Sequence, residues 1–201
     1  MLDASLRPFV DRLVNPVGVW LAGHGVSANA ITIFGFCLGF LAAVMISIDH
    51  MQAGFLLIAL NRLCDGLDGA VARATGPSDF GGYLDVVLDF VFYAMIPLAF
   101  AVNDPGNAVA AAFLIFSFVG TGTSFLAYAI MAEKYGVKSV KHGKKSFAYL
   151  GGLTEGSETI ILFLLMTLTP AYFVYYASVF GALCWVTTAY RIYEARILIE
   201  G

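Results

Sequence analysis

Two pairs of aspartates lie a short distance apart in the chain: Asp65 and Asp68 in Asp65-Gly-Leu-Asp68-Gly69-Ala-Val-Ala72-Arg73, then Asp85 and Asp89 in Gly81-Gly-Tyr-Leu-Asp85-Val-Val-Leu-Asp89. Each pair sits in an apolar run, and spacings of three and four residues put its members on one helix face. Gly76-Pro77 between the runs predicts a tight turn, so two antiparallel helices would bring the carboxylates to one level. In an apolar medium an ionised carboxylate costs about 2.5–3.5 kcal/mol near the middle of a membrane span. Arg62 and Arg73 do not suffice to neutralise the set. Divalent cations would, and oxygen ligands suit Mg²⁺ or Mn²⁺. Two such ions sharing the carboxylates make a site for in-line displacement at phosphorus. Gly66, Gly69 and Gly81 beside the acids each give up about 1 kcal/mol of helix propensity. They are expected to clear room for a ligand at the backbone.

The elements that would carry these groups are membrane helices. Of the 201 residues, 60% are hydrophobic and 12% charged, against roughly 45–50% and about 25% in soluble domains. Such a chain calls for lipid as its solvent, and a net charge of −3 leaves no basic surplus for nucleic acid. Cys37, Cys64 and Cys184 stand singly in apolar stretches without metal-ligand or redox spacing. The N-terminus lacks the basic, apolar and small-residue pattern of a signal peptide. A span needs about 20 apolar residues, and six stretches qualify: 28–48, 53–74, 80–101, 107–132, 146–168 and 171–193. With six spans, the basic residues Arg7, Arg12, Arg73, Lys134, Lys138, Lys141, Lys144, Lys145, Arg191 and Arg196 all fall on one side. By the positive-inside rule, both termini are then cytoplasmic.

The expected architecture is therefore all-α, a six-transmembrane-helix bundle at 28–201 preceded by an interfacial helix and linker at 1–27. In that first segment Leu2, Leu6, Phe9, Val10 and Leu13 recur at helical spacing, opposite Arg7, Asp11 and Arg12. The pattern predicts an amphipathic helix lying in the cytoplasmic interface and interrupted around Pro16. No internal repeat or second domain is visible.

The acidic segment resembles the signature of the CDP-alcohol phosphatidyltransferases, Asp-x2-Asp-Gly-x2-Ala-Arg-x8-Gly-x3-Asp-x3-Asp, through Asp65, Asp68, Gly69, Ala72, Arg73, Gly81, Asp85 and Asp89. The chain departs from it in having seven residues between Arg73 and Gly81, a change confined to the turn. The resemblance implies a bacterial inner-membrane enzyme, a homodimer, with its active site facing the cytoplasm. It implies attack by a small alcohol on the β-phosphate of CDP-diacylglycerol, with release of CMP. Asp65, Asp68 and Asp85 would hold two divalent cations, Asp89 contributing to the second and taking the acceptor's proton. Asn29, Thr32, Asp65, Gly69, Ala72, Arg73 and Gly81 would line the CDP side, Arg73 by charge-assisted hydrogen bonds. The alternative for Asn29 and Thr32 is helix capping, with Ser27 or Asn29 as N-cap.

The acceptor stays open. Lys145 and Arg191 suit a phosphorylated alcohol, and glycerol 3-phosphate is the first choice on family frequency. Glu155 and Glu158, expected two to three turns into the fifth span, suit an inositol-type polyol or an amino alcohol. They would equally serve as partners for Arg62, the favoured reading. Gly35-x3-Gly39 offers a surface for helix association. The rival function is an ion- or proton-coupled transporter using the intramembrane acids, though these bunch toward one membrane face.

Overall fold

The computed structural model describes residues 2–136 and 152–200, with side chains from residue 10 onward. It contains seven α-helices and no strand among the described residues: α1 (Leu2–Gly23), α2 (Ala28–Ser47), α3 (Met51–Thr75), α4 (Asp79–Asn103), α5 (Ala108–Lys134), α6 (Gly156–Leu168) and α7 (Phe173–Glu200). Single 3₁₀ turns at Pro105–Asn107 and Pro170–Tyr172 lead into α5 and α7.

Local chemistry sets the helix ends. Ser27 caps α2, its Oγ accepting from the Ala30 N–H at 3.2 Å, and Ser78 caps α4 through the Gly81 N–H at 3.0 Å. Between α3 and α4, Gly76 takes φ +98°, a conformation open to glycine and strained for other residues. That turn reverses the chain between α3 and α4 and keeps their acidic segments at one end.

Four stretches are long and apolar enough to cross a membrane: Ala28–Ser47, Asp79–Asn103, Pro105–Lys134 and Pro170–Glu200. The 25 residues of α3 reach about 37 Å at 1.5 Å per residue, ample for a span. Its hydropathy is lowered by Arg62, Asp65, Asp68 and Arg73.

Three boundary expectations are corrected. First, α1 runs unbroken through Pro16. Second, the helix of the fifth expected span, α6, begins at Gly156 rather than 146, and its 13 residues span only about 20 Å. Ahead of it, backbone donors are taken by side chains instead of a helical ladder: the Gly152 N–H bonds Glu155 Oε1 at 2.9 Å and the Leu153 N–H bonds Thr187 Oγ1 at 3.2 Å. Third, α7 continues to Glu200, where Arg196 and Glu200 pair one turn apart at 2.6 Å, so Arg191 lies within the helix.

In the bundle α2 packs on α3 and α4, α4 on α5, α5 on α7, and α3 on α1 and α6. The Gly35-x3-Gly39 surface is used inside the chain. A Cβ on Gly35 would meet Cys64 of α3 at 2.8 Å, and one on Gly39 would meet Phe92 of α4 at 2.7 Å. Below the acidic end lies an aromatic core. Phe163 of α6 is fully buried, with ring centroids 5.9 Å from Phe92, 6.2 Å from Phe118 and 6.3 Å from Tyr93.

Truncating that central ring tests the packing. Phe163→Ala should destabilise the protein by about 3–5 kcal/mol. Ile161→Ala, at a position 43% exposed, should change stability by about 0.5 kcal/mol or less. Unfolding in detergent micelles measures both, and equal effects would contradict the core assignment.

Candidate active site

Asp65, Asp68 and Asp85 converge where α3 and α4 face each other. One carboxylate oxygen from each lies within 4.8 Å of the other two. Asp68 is buried, and Asp65 and Asp85 are half-buried. The three border a cavity of about 20 Å³, lined also by Thr32, Asn61 and Asp89. That volume admits roughly one water-sized particle. Close-set oxygen donors around a space of this size fit a hard divalent cation.

The remaining carboxylate stands slightly apart. Asp89 lines the same cavity, but its Oδ1 faces Arg62 Nη1 at 3.9 Å, and its Oδ2 accepts from the Tyr93 hydroxyl at 3.5 Å. Arg62 also forms an ion pair with Asp65, one turn further along α3. The expected pairing of Arg62 with Glu155 or Glu158 is thus corrected. Partners on its own helix and on adjacent α4 lie within reach of the guanidinium.

Neighbouring helices hold the acids in place. Thr32 Oγ1 lies 2.6 Å from Asp68 Oδ2, a charge-assisted hydrogen bond, and 3.0 Å from the Ala28 carbonyl. Asn61 donates from Nδ2 to the Gly35 carbonyl at 2.9 Å, tying the acidic turn of α3 to α2. Sequence reasoning passed over Asn61. Its signal was an amide in an apolar run, four residues before Asp65 and so on the same face.

A second cavity of about 970 Å³ opens beside the first, and Thr32, Asp68, Asp85 and Asp89 border both. Asn29, Gly69, Ala72, Arg73 and Gly81 line one part of it, so each residue expected on the CDP side borders this space except Asp65, which borders the smaller cavity. Ser27 is the N-cap of α2, while Thr32 bonds Asp68 and Asn29 borders the large cavity. A Cβ on Gly81 would come within 2.9 Å of Asn29 Oδ1, so the bare backbone of α4 lets Asn29 approach. Gly66 departs from expectation: its open side faces Val10 and Val14, and it serves contact with α1. Arg73, at the rim, donates from Nη2 to Asp11 Oδ1 at 2.9 Å and to Asn15 Oδ1 at 2.8 Å. The first helix thereby grips a residue of the acidic motif.

The far part of the large cavity is lined by Glu155, Arg191, Thr121, Thr154 and Thr159. Glu155 is buried and immediately precedes α6, not two to three turns inside it, while Glu158 is half-buried in the first turn and is not part of the lining. Arg191 is buried, donates from Nη1 to the Thr121 carbonyl at 2.8 Å, and lies 5.6 Å from the centre of the Phe125 ring. The threonines were missed because hydroxyls in membrane helices ordinarily bond their own backbone. Lys145 lies outside the described residues, as do Lys138, Lys141 and Lys144.

A cluster of carboxylates at the junction of a small oxygen-lined cavity and a large mixed one can neutralise a diphosphate through cations and hold its two substituents on either side.

The chain is similar in sequence and in fold to known proteins. The sequence pattern of the CDP-alcohol phosphatidyltransferases matches residues 25–192. Inner membrane protein YnjF of Escherichia coli (strain K12) is 44% identical over 100% of this chain and 98% of its own length. Archaetidylinositol phosphate synthase of Pyrococcus horikoshii is 28% identical, with 98% of each chain covered. In fold, the chain is similar to Mycobacterium tuberculosis phosphatidylinositol phosphate synthase, whose crystal structure has CDP-DAG bound. The TM-score is 0.74 at 19% identity, covering 92% of this chain and 94% of that one. The chain belongs to the CDP-alcohol phosphatidyltransferase family, transferases of phospholipid synthesis.

Proposed function

We propose that the protein moves a phosphatidyl group from CDP-diacylglycerol to the hydroxyl of a small polar alcohol and releases CMP. The convergence of Asp65, Asp68 and Asp85 beside a cavity that also reaches Asn29, Arg73 and Gly81 is the observation that carries this reading. Asp65, Asp68 and Asp85 hold two divalent cations, Mg²⁺ or Mn²⁺, with Asp89 contributing to the second. When bound, these ions supply the positive charge that offsets the diphosphate and the leaving CMP. Asn29, Thr32, Gly69, Ala72, Arg73 and Gly81 seat the nucleotide end, where the small residues leave space against the backbone. The acceptor's oxygen bonds to the β-phosphorus, the bond from that phosphorus to the oxygen leaving with CMP breaks, and Asp89 takes the hydroxyl proton. Tyr93 and Arg62 hold Asp89 in place for that transfer.

The acceptor sits on the side of Glu155 and Arg191, with Glu158 and Lys145 as further candidates. Glycerol 3-phosphate is the first choice, with polyols and amino alcohols as alternatives. The ion- or proton-coupled transporter finds no support in the family. The bundle at 28–201 lies in a bacterial inner membrane with six spans and both termini cytoplasmic. Segment 1–27 carries α1 in the interface, where exposed Leu13, Val17 and Trp20 meet lipid. The working form is a homodimer.

Purified protein given CDP-diacylglycerol, Mg²⁺ or Mn²⁺ and a panel of alcohols should release CMP with one acceptor class; no release with any donor–acceptor pair would reject the transferase reading. Asp89→Asn should slow release about 10²–10⁴-fold, and an unchanged rate would remove Asp89 as base. Thr32→Val, which strips the hydrogen bond from Asp68, should weaken cation binding about 10–100-fold. Thr32→Ser should restore it, and equal affinities across the three proteins would dissociate Thr32 from the site.

A further inference from the structure

Along one stripe α1 is seated on α3. Val10, Val14 and Gly18 recur every four residues on one face of α1. The open side of Gly66 faces Val10 and Val14, and a Cβ on Gly18 would collide with the Ala70 Cβ and come within 3.0 Å of the Ala70 carbonyl carbon. Beside that stripe, Asp11 and Asn15 stand one turn apart and both accept from a single nitrogen, Arg73 Nη2, at 2.9 and 2.8 Å. The other terminal nitrogen lies over bare backbone: a Cβ on Gly69 would be 3.3 Å from Arg73 Nη1. Gly69 and Arg73 both line the large cavity.

We propose that Asp11 and Asn15 are positioning residues for the nucleotide end of the donor: they set the plane of the Arg73 guanidinium so that Nη1 is presented to a phosphate on the Gly69 side of the cavity. This rests on the nucleotide-side reading of Arg73 and deepens it.

The argument is one of direction, not of ion-pair strength. The Arg73 and Asp11 side chains are 38% and 30% exposed, and a pair so open to solvent contributes little to stability. A long side chain with one partner swivels about that bond. With two acceptors on one nitrogen and a glycine beneath the other, the guanidinium keeps one plane. Arginine meets phosphate through such a fixed fork, and ordering it beforehand removes a cost otherwise met on binding. At 100° per residue, exposed Leu13, Val17 and Trp20 fall on the side of α1 opposite Asp11 and Asn15. The element with an apolar face for lipid thus also aims a cation at the diphosphate of a lipid donor.

Calorimetric titration of CDP with Mg²⁺ into the full-length protein in detergent tests this, together with the kinetics of CMP release. Asp11→Ala/Asn15→Ala should weaken CDP binding about tenfold, the cost of re-ordering one long side chain. It should raise KM for CDP-diacylglycerol by a similar factor and leave the KM of the alcohol unchanged. Arg73→Ala should weaken CDP binding about tenfold or more. In the Arg73→Ala background the two α1 substitutions should add less than about twofold, since they act through that guanidinium. Where the double variant does not elute as a single species, Asn15→Ala alone serves the same comparison. An α1 variant that binds CDP as the wild type does would overturn the proposal. So would an undiminished further loss in the Arg73→Ala background, the mark of a general disturbance of the fold. If the wild type binds no CDP, or Arg73→Ala binds it undiminished, the nucleotide-side reading of Arg73 is itself refuted and the proposal falls with it. That result is distinguishable from the two preceding ones.

Discussion

Like charges held together in an apolar medium are the constraint around which this protein is organised. Asp65, Asp68 and Asp85 bring oxygens within 4.8 Å of one another inside helices that otherwise favour lipid. Such an arrangement persists only where neighbours bear part of its electrostatic cost. Arg62 bonds Asp65 and faces Asp89, Thr32 donates to Asp68, and Tyr93 donates to Asp89. Each of these partners comes from α2, α3 or α4, so the helices that make the site also help to make it electrostatically tolerable.

Small residues let those helices approach. Gly35 and Gly39 bring α2 close to α3 and α4, and Asn61 fixes the contact through the Gly35 carbonyl. One turn deeper than Asp89 on α4, Tyr93 and then Phe92 enter the aromatic core with Phe118 and Phe163. Charged site and apolar core thus share a helix and a set of packing partners. Asp89 and the core residues Phe92 and Tyr93 lie within about one turn of one another on α4.

Much of this was legible in the chain itself. Helical spacing and the Gly76-Pro77 turn anticipated the meeting of Asp65, Asp68 and Asp85, with Asp89 bordering the same cavity, because periodicity and a glycine-only turn are local properties. The helices α2 to α5 likewise begin and end near the limits of apolar runs. What could not be read was long-range. The contact of Arg62 with Asp89 depended on how α3 and α4 are placed, whereas its ion pair with Asp65 is local to α3. Gly66 and Gly69 look alike in sequence, yet one faces α1 and the other the cavity. The late start of α6 was hidden because Gly152 and Leu153 surrender their backbone donors to Glu155 and Thr187, contacts that no window of hydropathy encodes.

That shortened sixth helix has a consequence for solvent. A helix of about 20 Å falls short of a hydrocarbon layer about 30 Å thick. The polar stretch Gly152–Glu155 therefore sits where another bundle would present greasy side chains, flanked by Thr187 and buried Arg191. In the proposed membrane placement, this would leave a polar notch open from one side. On the proposed reaction, a water-borne alcohol and a bilayer-borne diphosphate meet there without either abandoning its own phase.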